Sequence, residues 1–477
     1  MNFTKKQTAA YGLGAIGKDM VYALSSGYVM YYYQDILGLS ATFVGAILMI
    51  ARIFDAANDP LMGVLVAKTR TKWGKFRPWL LSGTVLNAFV LYALFAAPDL
   101  KGTGLMVFFT VVYILWGVTY TMMDIPYWSM IPAVADTPKE RENLSVVGRT
   151  CAGVGNALVT ITAMILIKML GGGNERIGFR WYALIIAVIF IVTEVILCRS
   201  IDEKSTQEDM QTTSVGEMFR ALFSNDQAMV TVLTIILINS ALYITSNLII
   251  YFFKYDFSQS LLDPTKWQET YTLFASVGGA SQILGMMLVY PLLRKFLGNT
   301  QIFKICLCSA IVGYAVLLIM CVTGLSGSLP ILLIPGILVF LSNGILTVLT
   351  TVFLTSSVDY GELKSGHREE SVIFSMQTLV VKAASGLAVF LTGVGLDLIG
   401  LQGNSANDGT IAIQTDGTLT GLRLLMTVIP ILGLIGALIV FRKSFILTDE
   451  KAEEIANELK VRHGGTADET AVETDNG

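Results

Sequence analysis

Twelve long apolar segments, joined by short polar links, make up most of this 477-residue sequence. An α-helix needs about 20 apolar residues to cross the ~30 Å hydrocarbon core of a bilayer. The composition agrees, because 53% of the residues are hydrophobic and only 14% are charged, against about 25% charged in an ordinary soluble domain. We therefore predict an all-α membrane protein with twelve transmembrane helices. The predicted spans are 9–34, 41–66, 79–98, 104–134, 147–170, 180–198, 227–254, 270–293, 302–324, 330–357, 371–401 and 419–441.

A polar connector divides the spans into two groups of six. Twelve helices in two six-helix halves are typical of the major facilitator architecture, whose binding site lies between the halves. The expected domains are an N-terminal half at 1–199, a cytoplasmic linker at 200–226, a C-terminal half at 227–445 and a cytoplasmic tail at 446–477. Within the tail, Leu447–Arg462 is predicted to form a short amphipathic helix.

Positive charge is concentrated on one side of the predicted spans. Nineteen Lys and Arg residues fall on the side that holds both termini, and seven fall on the other side. Because cytoplasmic loops of membrane proteins carry the excess of Lys and Arg, we expect both termini in the cytoplasm and the chain in the cell membrane. Asp359–Glu362, after the tenth span, are expected in a solvated cytoplasmic loop.

Four aspartates lie inside segments that are otherwise apolar. They are Asp19, Asp55, Asp59 and Asp124. A carboxylate at the centre of a bilayer costs about 2.5–3.5 kcal/mol, so such residues usually mark an ion or substrate pathway. The alternative is that they form ion pairs that only lock helices together. The basic residues placed to do so are Lys18, Arg52, Arg149 and Lys382.

The second span contains three oxygen-bearing side chains on one face. At 3.6 residues per turn, Asp55, Asn58 and Asp59 fall within an arc of about 100°. Oxygen ligands suit a hard cation, and no imidazole or thiolate is near enough to favour a transition metal. Repulsion between the two carboxylates is relieved by a cation or by a proton. The pair therefore fits Na⁺, Li⁺ or H⁺, or else a polar seam that is hydrogen-bonded to a neighbouring helix.

The fourth span contains a second group of polar and aromatic residues in Tyr120–Trp128. Thr121, Asp124 and Trp128 share one face of this helix, and Pro126 is placed to kink it. A carboxylate binds sugar hydroxyls, and an aromatic ring packs on the apolar face of a sugar ring. The alternative is that the aromatic residues serve packing alone. Lys382 lies deep in the eleventh span and needs a carboxylate partner or a pocket.

Several motifs together resemble those of the glycoside–pentoside–hexuronide:cation symporter family, over residues 5–445. They are Gly17–Asp19, Tyr31–Tyr33, Ala51–Pro60, Trp73–Pro78, Trp116–Gly117, Asp124–Pro126 and Val358–Glu362. The resemblance implies a major facilitator fold and sugar uptake driven by Na⁺, Li⁺ or H⁺. Ser26 and Thr347 stand where one member of the family has sugar-site aromatic residues, which leaves the identity of the sugar open.

The resemblance also implies roles for individual positions. The cation (Na⁺) site is expected at Asp55, Asn58, Asp59 and Thr121. The sugar site is expected at Lys18, Asp19, Tyr120, Asp124, Trp128, Arg149, Gln377 and Thr378, and Lys382 is expected to couple the two sites.

The function that we predict is symport of a glycoside or oligosaccharide with a monovalent cation by alternating access. The alternative is cation-coupled transport of a non-sugar amphiphile such as a lysolipid. An enzyme is not expected, because the sequence contains no nucleophile–base pair and no phosphate-binding loop. We expect no cofactor other than the coupling cation and no nucleic-acid partner. The protein is expected to be a monomer in the lipid bilayer.

Overall fold

The computed structural model describes residues 4–134, 138–201, 223–365, 370–403 and 411–462. Twelve long helices and one terminal helix cover most of this part of the chain. They are α1 (Lys5–Tyr31), α2 (Ala41–Lys68), α3 (Arg77–Phe95), α4 (Thr103–Ser129), α5 (Pro138–Gly171), α6 (Glu175–Ser200), α7 (Asp226–Tyr251), α8 (Trp267–Leu284), α9 (Asn299–Thr323), α10 (Leu329–Ser365), α11 (Glu370–Leu398), α12 (Asp416–Ser444) and α13 (Asp449–Arg462). The prediction of an all-α chain with twelve long apolar helices is confirmed.

Polar residues at the helix starts supply the hydrogen bonds that the first turns lack. The Thr4 hydroxyl accepts a hydrogen bond from the Gln7 N–H at 3.3 Å, and the Gln7 side chain accepts one from the Thr4 N–H at 3.0 Å. This reciprocal capping box fixes where α1 begins. Asn225 caps α7 in a similar way by accepting from the Ala228 N–H at 3.0 Å.

Within the described residues, ten of the helices are long and apolar enough to cross a membrane. Helices α1 and α2 also have the length to cross, and they carry Lys18, Asp19, Asp55 and Asp59 in their interiors. Large apolar side chains face outward from the bundle, as Phe89 (69% exposed) and Val322 (75% exposed) illustrate. This outer surface fits contact with lipid chains rather than water.

The loop predicted for Asp359–Glu362 is wrong. These residues continue α10 as far as Ser365, and Glu362 is buried. The terminal helix α13 covers this extension, because its apolar residues Ile455 and Leu459, together with Leu447 just before the helix, form a cluster with Tyr360 and Leu363 of α10. The amphipathic helix predicted near 447–462 is thereby confirmed.

Two helix pairs join the N-terminal and C-terminal halves: α2 packs along α11, and α5 packs along α8. Glycines allow the first pair to approach closely. A β-carbon at Gly45 would lie 2.9 Å from the Val389 carbonyl oxygen, and one at Gly393 would collide with the Ala41 carbonyl. Residues 202–222 of the predicted linker lie outside the described residues, so the domain boundaries stay a prediction.

Candidate functional site

Lys18 is the centre of a first charged cluster inside the N-terminal half. Its ammonium lies 2.7 Å from an Asp124 oxygen and 3.1 Å from an Asp19 oxygen. Asp19 follows it on α1, whereas Asp124 comes from α4. The Tyr120 hydroxyl accepts a further hydrogen bond from Lys18 at 3.4 Å. One buried cation is therefore shared by two carboxylates, as an interior of low dielectric constant requires.

Trp128 closes the same cluster one helical turn after Asp124. Its indole N–H donates to an Asp124 oxygen at 3.1 Å, which is the expected reach of an i, i+4 pair on a helix. The Arg149 guanidinium of α5 lies over the indole ring, 4.6 Å from the ring centroid. Six of the eight predicted sugar-site residues are therefore adjacent. The side chains of the other two, Gln377 and Thr378, lie outside the described residues.

Asp59 is the centre of a second cluster, which joins the two halves. Its carboxylate accepts a hydrogen bond from the Thr121 hydroxyl at 3.2 Å and forms an ion pair with Lys382. Asp59 lies on α2 and Lys382 on α11, so the pair crosses between the halves. Lys382 is expected from its depth in the span to need a carboxylate partner or a pocket, and the carboxylate beside it is that of Asp59.

Asp55, one turn before Asp59, has a different environment. Its nearest cation is Arg52 at 3.8 Å, and its Oδ1 atom is buried with no hydrogen-bond partner among the described residues. The Arg52 guanidinium lies 5.3 Å from the ring centroid of Tyr22. Asn58 is half-buried on the same helix. The oxygen atoms here are hard ligands, and the unsatisfied Oδ1 leaves one of them available to a cation.

One face of α4 connects the two clusters. Thr121, which contacts Asp59, and Asp124, which contacts Lys18, are three residues apart and therefore share a helix face. A change in the position of α4 therefore acts on both clusters. Helix α4 ends at Ser129, only three residues after Pro126.

Accessibility separates these clusters from a purely structural ion pair. The Asp59 and Lys382 side chains are 23% and 30% exposed, and Asp124 is 26% exposed. In contrast, Asp35 and Lys254, another ion pair of the bundle, are 0% and 2% exposed. The Asp59–Lys382 pair and Asp124 are therefore partly accessible, whereas the Asp35–Lys254 pair is sealed.

The sealed pair belongs to a network that the sequence analysis missed, at the end of the bundle opposite the termini. Lys254 of α7's π-helical extension lies 2.6 Å from Asp35 and 3.3 Å from Glu175. The Tyr31 hydroxyl donates to Glu175 at 2.5 Å, and Gln268 donates to the other Glu175 oxygen at 3.0 Å. In the sequence, the indication of this network is that its charged residues lie near the ends of the predicted spans. The network ties α1 and α6 of one half to α7 and α8 of the other.

A second contact between the halves lies at the same end. Asp397 of α11 accepts hydrogen bonds from the Ser40 hydroxyl at 2.7 Å and from the Thr42 N–H at 2.8 Å. A carboxylate at a helix N-terminus is stabilised by the unpaired N–H groups and by the helix dipole. The halves are therefore held together at this end by charged contacts.

Among the described residues, no group of three or more His, Cys, Asp or Glu side chains is placed to hold a metal ion. The candidate cation site is instead formed by two carboxylates, an amide and a hydroxyl. These oxygen donors suit a hard cation rather than a transition metal, which prefers imidazole or thiolate ligands.

Comparisons with known proteins agree with this architecture. The chain is 27% identical to the lactose permease of Lactobacillus delbrueckii subsp. bulgaricus over 95% of this chain and 72% of that protein. It is 26% identical to the inner membrane symporter YicJ of Escherichia coli (strain K12), over 95% of this chain and 94% of that protein. A crystal structure of a D-xylose-proton symporter superposes with a TM-score of 0.61 at 14% identity, covering 94% of this chain and 98% of that one.

The family model described as "MFS/sugar transport protein" matches residues 10–448. This match confirms the resemblance found in the motifs, and its members are membrane transporters rather than enzymes. With its bundle of apolar helices and its two interior charged clusters, the chain belongs to the MFS/sugar transport protein family, a family of multi-pass membrane transporters.

Proposed function

We propose that this protein is a secondary active symporter that imports a glycoside or oligosaccharide together with Na⁺, Li⁺ or H⁺ by alternating access. One observation supports the proposal above all others. The Asp59–Lys382 pair crosses between the halves, is accessible, and touches Thr121 on the helix that also presents Asp124. A cation and a sugar that bind at these two clusters would therefore act on the same elements.

The proposed cation site consists of Asp55, Asn58, Asp59 and Thr121. In the structure the Lys382 ammonium is bound to Asp59, and an ammonium is a monovalent cation that uses the same oxygen atoms. Entry of Na⁺ must displace it, and the displaced Lys382 has Asp124 as the next carboxylate that acts on it. Cation binding would in this way move a positive charge towards the sugar cluster.

The proposed sugar site consists of Lys18, Asp19, Tyr120, Asp124, Trp128 and Arg149, with Gln377 and Thr378 from α11. Asp19 and Asp124 accept hydrogen bonds from sugar hydroxyls, while Lys18 and Arg149 donate. The Trp128 ring lies beside the cations of Arg149 and Lys18, and an aromatic ring among polar groups of this kind can pack on the apolar side of a sugar ring. A sugar is also what the name of the lactose permease relative indicates.

Alternating access follows from where the halves are joined. The Lys254 network and the Asp397 contact close the bundle at the end opposite the termini. With both termini in the cytoplasm, as the distribution of positive charge indicates, the closed end faces outward and the clusters are reached from inside. Transport requires these outer contacts to break while new contacts form at the other end.

The lysolipid alternative is not supported by a particular observation. Two lysines and two arginines beside four carboxylates make the interior strongly polar, whereas an acyl chain needs a long apolar channel. We propose that the protein acts as a monomer in the cell membrane.

Replacing Asp59 tests the cation site. We expect Asp59→Cys to abolish the stimulation of sugar binding by Na⁺ and to leave some Na⁺-independent binding, since the sugar cluster is intact. The measurement is binding of radiolabelled α- and β-glycosides to purified protein with and without Na⁺. Asp99→Cys is the matched control, because the Asp99 side chain is 90% exposed and pairs only at the surface. Wild-type stimulation in Asp59→Cys would contradict the assignment.

Replacing Asp124 tests the sugar site. A hydrogen bond to a charged group contributes about 1.5–3 kcal/mol, so Asp124→Ala should weaken sugar affinity about 10- to 150-fold. Asp19→Ala should act in the same direction. Equilibrium binding in detergent measures the effect, with a melting curve to show that each variant is folded. If both variants bind every glycoside of the panel as the wild type does, the sugar site lies elsewhere.

Lys382 tests the coupling. Because its ammonium competes with Na⁺ for Asp59, we expect Lys382→Ala to bind Na⁺ at least as tightly as the wild type in the absence of sugar. We also expect the mutual increase in affinity between Na⁺ and sugar to be lost, since linkage through this contact is reciprocal. Na⁺ affinity measured with and without saturating sugar decides the question. Full mutual reinforcement in the variant would make Lys382 a structural counter-charge only.

A further inference from the structure

Glu194 of α6 is a buried carboxyl group that the proposed transport mechanism does not use. It is 0% exposed, and neither of its oxygens has a hydrogen-bond partner within the described ranges of the chain. An ionised carboxylate without partners in an apolar interior costs several kcal/mol, and such a group neutralises itself by taking up a proton. The surroundings of Glu194 therefore favour its protonated form.

The neighbouring hydrogen-bond donors are already engaged. The rings of Tyr11 and Tyr127 stack with centroids 4.5 Å apart. Each hydroxyl donates to the backbone carbonyl of the other residue, at 3.2 Å from Tyr11 and at 2.8 Å from Tyr127. The Lys18 ammonium is held by Asp124 and Asp19. These three donors, within the described part of the chain, are therefore engaged elsewhere and do not stabilise an anion at Glu194.

The charged groups around Glu194 come from two helices. Helix α6 packs against α1, α3 and α5. The charged side chains that act on Glu194 are Lys18 from α1 and Asp124 from α4, and the neighbouring titratable hydroxyls are those of Tyr11 and Tyr127. In the described parts of α3 and α5, no charged side chain acts on it. The charge on Glu194 therefore depends on the position of the Lys18 ammonium.

Lys18 has a route to Glu194. A β-carbon at Gly14 would lie 3.3 Å from the Glu194 Oε1 atom, so this oxygen rests against α1 at Gly14. Gly14 and Lys18 are four residues apart and lie one above the other on the same face. Side chains of a helix lean towards its N-terminus, so the Lys18 stem runs towards Gly14. Rotation of this side chain offers its ammonium a second carboxyl group.

We infer that Glu194 is a proton-binding site that is separate from the Asp55–Asp59 cation site. At Glu194, a bound proton and the Lys18 ammonium replace each other. While Lys18 is bound to Asp124 and Asp19, Glu194 keeps its proton. When Lys18 moves to Glu194, the O–H proton passes to water and an ammonium–carboxylate pair replaces it, so the net charge of the interior falls by one. This inference rests on the proposed function for one consequence: a glycoside that takes Asp19 and Asp124 from Lys18 releases a proton.

The test uses the purified full-length chain without sugar. The probe is the proton itself, followed through the infrared carbonyl band of protonated carboxyl groups during a pH titration from about pH 5 to 9, the range in which buried glutamates titrate. We expect wild type to show a band at neutral pH that Glu194→Gln lacks. Asp124→Asn removes the main partner of Lys18 and should make the Glu194 band disappear about 1–3 pH units lower, as expected when an opposite charge comes near.

Asp59→Asn is the matched control, because it removes an interior carboxylate that is bound to Lys382 and not to Lys18, and its Glu194 band should titrate as in wild type. Absence of a Glu194-dependent band at neutral pH would overturn the inference. So would equal titration in Asp124→Asn and Asp59→Asn. A Glu194→Gln variant that does not fold would also contradict it, because the amide is a neutral isostere of the protonated acid. None of these outcomes depends on transport, so they are distinct from a failure of the proposed function.

Discussion

A charge inside an apolar interior must have an opposite charge beside it, and the whole bundle depends on this constraint. The two interior lysines, Lys18 and Lys382, meet it through their carboxylate partners. Among the described residues, Lys18 is paired within the N-terminal half with Asp124 and Asp19, whereas Lys382 is paired across the interface with Asp59. Separating Asp59 from Lys382 leaves two unpaired charges, which is costly unless each finds a new partner. The packing of α2 against α11 therefore depends on what occupies Asp59.

A coupled transporter can use this dependence. Under the proposed function, a monovalent cation would be a new partner for Asp59, and the cluster around Asp124 would be a new environment for Lys382. Because Thr121 and Asp124 share one face of α4, the change of partner at Asp59 and the change of environment of Lys382 both involve this helix. The proposed coupling needs no long-range pathway, since both clusters include a residue of α4. Each ligand contributes by changing which ion pairs remain satisfied.

Much of this arrangement was predictable from the sequence, and the limits have physical causes. Charged residues in apolar spans are conspicuous, so Asp19, Asp55, Asp59 and Asp124 were found, together with the twelve helices. Partner choice was not predictable, because whether Lys382 meets Asp55, Asp59 or Asp124 depends on the crossing of α2, α4 and α11. Glu194 was overlooked as a single acid in a strongly apolar span. The extension of α10 was predicted as a loop because its burial depends on tertiary packing against α13, which the sequence does not reveal.

The central claim is that a cation gradient drives sugar across the membrane through this chain. The direct measurement places purified protein in sealed liposomes and follows a panel of radiolabelled α- and β-glycosides under an inward Na⁺, Li⁺ or H⁺ gradient. We expect at least one glycoside to accumulate above its external concentration, and we expect the accumulation to disappear when the cation gradient is dissipated. Downhill flux alone, or uptake that is indifferent to all three cations, would contradict it.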